Sequence, residues 1–178
     1  MRLKLTLAAL AAATAFATPA MAQTSASDQA LARGTVLLPL TFSKVAGRDL
    51  DFGTVLASGT SGTVSIDADT GGRSFTGGVT PLSVALGDRA LFVGVGTDGQ
   101  QVDIHLAAPT SLPRVGGGAT VGANLFLDTN GTGNATDRTI TINDVNGAFT
   151  VGVGGSFDIA ANQMDGVYEA TFDVTVDY

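Results

Sequence analysis

The sequence predicts an all-β fold of short antiparallel strands, and three observations carry that prediction. From Tyr168 to Tyr178 the chain alternates without a break, with Tyr168, Ala170, Phe172, Val174, Val176 and Tyr178 on one parity and Glu169, Thr171, Asp173, Thr175 and Asp177 on the other. Side chains two apart share a face of a strand, so this run reads as a strand with one buried and one wet face. Composition agrees: beyond residue 22 glycine and threonine are the most frequent residues, valine and aspartate are abundant, and Glu169 is the only glutamate. That is a vocabulary of strands and tight turns. Finally, about nine to eleven short apolar runs are separated by turn signals at the spacing of sandwiches and barrels.

Taken in order, the chain opens with Arg2 and Lys4, an apolar stretch from Leu5 to Ala17, and Ala20, Met21, Ala22 as an A-x-A cleavage site before Gln23. This is the pattern of a secretory signal peptide over residues 1–22, too short for a membrane-spanning helix. Cleavage after Ala22 leaves 156 of the 178 residues, enough for one domain with a sizeable core. It also lowers the basic count from 9 to 7 against 16 acids, a charge of −9, which argues against nucleic acid as a partner. Cysteine is absent, which removes disulfides, thiolate metal sites and thiol catalysis.

Residues 23–34 are small and polar and read as a flexible extension, with the single domain spanning residues 35–178. The first strand carries Val36, Leu38, Leu40 and Phe42 on one parity, and Pro39 confines it to an edge or a bulge. Leu50 and Phe52 precede the turn-prone Gly53. Val64 and Ile66 run into a hairpin turn at Asp67 to Gly72, with Phe75 resuming beyond it. Leu82, Val84 and Leu86 alternate, then Leu91, Val93 and Val95, then Val102, Ile104 and Leu106. Val121, Ala123, Leu125 and Leu127 form another face, ending in a loop from Asp128 to Asp137. Ile140 and Ile142, then Phe149, Val151 and Val153, then Phe157 and Ile159 lead to the closing run.

Catalytic chemistry finds little support. His105 is the only histidine, placed on the polar parity of a strand beside Asp103, and no G-x-S-x-G elbow is present. Gly94, Gly96 and Gly99 spell G-x-G-x-x-G, but Gln100 to Val102 lead into a strand, so no helix N-terminus awaits a pyrophosphate. Asp128, Asn130 and Asp137 offer oxygen ligands for calcium, yet Thr139 stands where an EF-hand needs glutamate. A solvated turn is the preferred reading there. The remaining acids fall in turns and on wet parities, where burial does not raise a carboxyl pKa for glycosidase chemistry. No cofactor is expected.

Leu50, Asp51, Phe52, Gly53, Thr54 and Val55 form an L-x-F-G-x-V motif after the first strand. With Gly78, with Gly166, Val167 and Tyr168, and with Phe172, Val174, Val176 and Tyr178, it resembles the spore coat protein U domain and chaperone-usher pilins. An uncharacterised proteobacterial domain-of-unknown-function family is similar too. The resemblance covers about Val36 to Tyr178 and implies an immunoglobulin-like, pilin-like antiparallel β-sandwich in a surface fibre or coat. In such subunits a neighbour's N-terminal segment completes the fold by strand addition. It implies as partners the chain itself or related subunits, with a periplasmic chaperone and usher. The cysteine pair common in pilins is missing, and residues 23–34 lack large alternating apolar side chains, so either Val36 to Phe42 is the donor or the subunit folds alone.

The expectation is a structural or adhesive protein, not an enzyme, exported through the inner membrane to the cell surface or the extracellular space, with the periplasm as the alternative. Two alternatives stay open: a small outer-membrane β-barrel, which also ends in alternating apolar residues and an aromatic, and a secreted carbohydrate- or calcium-binding module.

Overall fold

Alternating burial sets the strands. The computed structural model describes residues 25–82, 87–129 and 135–178, and every regular element among them is a β-strand. None of the described residues forms a helix long and apolar enough to cross a membrane. In chain order the strands are β1 (Thr41–Lys44), β2 (Val55–Leu56), β3 (Gly62–Ile66), β4 (Arg73–Gly77), β5 (Thr80–Pro81), β6 (Ala90–Val95), β7 (Gln101–Ala107), β8 (Ser111–Pro113), β9 (Thr120–Leu127), β10 (Asp137–Thr141), β11 (Ala148–Ile159) and β12 (Asp173–Asp177). All pair antiparallel. Residues from Val36 onward form one unit; in the preceding one, residues 25–35 are exposed and without regular structure.

Three sheets result: seven strands, ordered β1-β6-β11-β3-β4 with β9 and β8 branching from β11; three strands, ordered β10-β7-β12; and the pair β2-β5. The 12-residue β11 organises the first. β6 pairs with Ala148–Val153, β3 with Gly155–Ile159, and β9 with Val153–Asp158. Because β9 shares paired residues with both others, it must lie along the opposite edge of β11. Phe149 to Ile159, predicted as two strands, are thus one. Its buried Gly152, Gly154 and Gly155 explain why. A Cβ on Gly154 would lie 2.6 Å from the Ala68 nitrogen and closer still to the Ile66 carbonyl, so the backbone leaving β3 passes where only glycine fits.

The two larger sheets share one core. On β7 Val102, Ile104 and Leu106 are buried while Asp103 and His105 face outward; β9 buries Leu125 and Leu127, and β11 buries Phe149, Val151 and Val153. Burying each large apolar side chain contributes roughly 1.5–3 kcal/mol. With no cysteine, this packing and the ladders hold the fold. The β3–β4 hairpin forms as the sequence predicts, closed by Asp67, whose carboxylate accepts the Thr70 N–H at 2.7 Å and the Thr70 hydroxyl at 2.8 Å.

Two predicted strands differ. The closing run is not continuous: the Val115 N–H donates to the Val167 carbonyl and the Glu169 N–H to that of Pro113, joining residues 167–169 to β8, whereas Asp173–Asp177 pair with β7. β8 and β7 belong to different sheets, so the run must break between them. Val36 to Phe42 contributes only Thr41 and Phe42 to β1. Leu38 is held instead by side chains, its N–H donating to Thr97 Oγ1 at 2.7 Å and its carbonyl accepting the Tyr178 hydroxyl at 2.8 Å. The next residue, Pro39, has no N–H to give a ladder. The signal segment 1–22, most of the run through Val84 and Leu86, and Asn130 lie outside the described residues.

Candidate functional site

The L-x-F-G-x-V segment forms one wall of a groove. Asp51 and Asp88 exchange both backbone hydrogen bonds at 2.8 Å, which anchors the segment. The Asp51 carboxylate then accepts the Gly53 N–H at 2.7 Å, and Gly53 takes a φ of 71°, turning the chain toward β2. Leu50 and Phe52 are thereby held half-buried against the core.

Gln163 to Phe172 form the other wall. The Tyr168 hydroxyl accepts from Gln163 Nε2 at 2.8 Å and donates to the Met164 carbonyl at 2.5 Å, while Arg114 Nε donates to the Asp165 carbonyl at 2.6 Å. Among the described residues, Ala170, Thr171 and Phe172 make no backbone hydrogen bond to another segment.

Between the walls lies a cavity of about 720 Å³ floored by Leu112, Leu125, Phe157 and Ile159. Phe52 stacks on Phe157 with ring centres 5.4 Å apart, and Tyr168 meets Phe157 edge-on at 6.2 Å, so one aromatic row crosses the floor. Leu56, Met164 and Val167 stand at the mouth, 54%, 48% and 63% exposed. Among the described residues the lining also holds Asp51, Asp165 and Glu169, but no histidine, serine, lysine or arginine. Such a surface can bind apolar side chains and pair with backbone.

Residues 40–178 match the family described as Domain of unknown function (DUF4402). The chain belongs to this family. The matched span contains the twelve strands of the described residues and both walls of the groove. No curated protein and no solved structure matches the chain.

Within the DUF4402 span, the sequence-predicted assembly residues divide. Leu50, Phe52, Gly53, Tyr168 and Phe172 line the groove. Leu40, Phe42, Val174 and Val176 are half-buried against the main core, and Tyr178 sits beyond β12, its hydroxyl joining Leu38 and the Thr97 N–H. Val36 and Leu38, just before the span, are exposed. Sequence reasoning missed the floor and the carboxylates at 165 and 169. Phe157 and Ile159 share a parity that could have signalled a common face, whereas nothing local ties Leu112 to them.

The ligand candidates are engaged elsewhere. Asp128 pairs with Arg138 at 2.5 Å, and Asp137 with His105 Nδ1 at 2.6 Å. His105 and a Thr136 hydroxyl bond hold the Asp137 carboxyl below the usual carboxylate range. Among the described residues no three His, Asp or Glu side chains converge to hold a metal ion. In the G-x-G-x-x-G run, Gly94 leaves room for the Phe149 ring and Gly99, at φ 77°, makes a turn.

Proposed function

We infer that the chain is an exported structural subunit of a cell-surface assembly, pilin-like or spore-coat-like, with an immunoglobulin-like sandwich that takes up an extended segment of another polypeptide in this groove. One observation carries the reading: the closing run leaves β8 after Glu169 and reaches β7 only at Asp173, so among the described residues nothing pairs with the backbone at Ala170–Phe172, which lies beside an apolar floor. A strand added there gains main-chain hydrogen bonds from the wall and seats alternate side chains in the cavity. It also covers a sheet edge that would otherwise pair indiscriminately.

The export pattern of residues 1–22 and the L-x-F-G-x-V resemblance support the same reading. A periplasmic chaperone and usher are the escorts it implies. The β-barrel alternative gains nothing, since the described strands fall into three separate sheets. Hydrogen exchange tests the proposal. The amides of Ala170–Phe172 should exchange freely in the monomer and become protected in the assembled form. Assemblies that leave these amides unprotected would refute it.

A further inference from the structure

We propose that the strand this groove selects is basic, an extended segment of a different protein in which apolar side chains alternate with lysine or arginine. The proposal rests on the groove being a strand acceptor and concerns what it accepts. Three carboxylates, Asp51, Asp165 and Glu169, line the cavity with no basic side chain among them. The four ion pairs of the described residues lie elsewhere, and neither Asp165 nor Glu169 takes part in one. One guanidinium borders this wall: Arg114 donates to the Asp165 backbone carbonyl and to that of Gly117, and forms no ion pair with either carboxylate. Asp51 differs in that its carboxylate accepts the Gly53 N–H and is also attracted by the Arg73 guanidinium.

A strand inserted over the floor therefore brings its outward side chains past two carboxylates that form no ion pair among the described residues. Basic side chains there gain attraction, and the formal charge of −7 on the chain steers them in. A second copy brings the same acidic surface, and its residues 25–35 carry one acid, Asp28, and one base, Arg33, so they offer no net charge to match.

Anisotropy titrations of the purified protein with labelled peptides, three of about 12 residues and one of about 14, test this. One peptide alternates valine with lysine, one valine with serine, one valine with glutamate, and a fourth copies residues 25–38. The lysine peptide should bind about tenfold more tightly than the serine peptide at about 20 mM salt, with the glutamate peptide weakest, and the difference should collapse at about 500 mM. Asp165→Asn with Glu169→Gln should abolish the lysine preference, whereas Asp173→Asn with Asp177→Asn, which removes equal charge from β12, should leave it intact. Equal binding of the lysine and serine peptides, equal loss in both double variants, or tightest binding by the 25–38 peptide would each overturn the proposal while leaving strand acceptance standing. If no peptide binds, both fall.

Discussion

Gly154→Ala should destabilise the protein by about 2 kcal/mol, within the range for overpacking a tight site. The added Cβ would stand 2.6 Å from the Ala68 nitrogen and 2.8 Å from its Cα. Normal separation requires the chain after β3 to retreat by about 1 Å. Those neighbours are backbone, pinned by the β3–β11 ladder, so no side-chain rotation relieves the contact. Gly122→Ala is the matched control. On β9 the nearest atoms to its new Cβ are the Asp158 Cβ and Oδ2 at 3.4 Å, an ordinary contact. There the substitution stabilises by about 0.5 kcal/mol through lost unfolded-state freedom. With a urea slope of about 2 kcal/mol per molar, the unfolding midpoint should fall by about 1 M for the first variant and rise by about 0.3 M for the second. Midpoints that move together, or an unchanged Gly154→Ala, would refute the claim that a crossing backbone dictates the glycines of β11.

Phe172→Asp sets a carboxylate against Phe92, whose ring lies 6.4 Å from that of Phe172, and should cost enough of a net stability of about 5–15 kcal/mol to abolish cooperative unfolding; a soluble, cooperatively folded variant would contradict the packing. Tyr178→Phe removes the hydroxyl shared by Leu38 and Thr97 and should cost about 1 kcal/mol, or about 2–4 °C in melting temperature by calorimetry. Hydrogen bonds from Thr70 hold the Asp67 carboxyl below its ordinary value. A depressed folded pKa adds stability above the unfolded value near 4 that is lost as pH falls through the folded one. Melting temperature should therefore drop less for Asp67→Asn than for the parent between about pH 5 and 2, and parallel curves would remove Asp67 as a source of acid sensitivity.

Strand faces were legible wherever a strand has one wet side. In β7 and β9 apolar and polar residues alternate, and burial follows that parity residue by residue. The reading failed where tertiary partners decide. β11 is buried on both sides across residues 151–155, so its pattern lapses and glycines read as a gap between strands. The Tyr168–Tyr178 parity is real, but alternation does not say which sheet each half joins. For the groove, the sequence supplied its walls through Leu50, Phe52, Gly53, Tyr168 and Phe172, because a motif marked them. It withheld the floor, since Leu112, Leu125 and Phe157 come from three strands that meet only through the β8–β9–β11 ladder.

The hydrogen bond between Tyr178 and Leu38 spans 140 residues of sequence. Loop closure over such a distance precedes any reward from the contact, and chains dominated by pairings of this kind fold on the order of milliseconds to seconds. Throughout that interval the apolar faces of β7, β9 and β11 are open to bystander chains. Aggregation therefore competes with folding kinetically, however stable the finished molecule is.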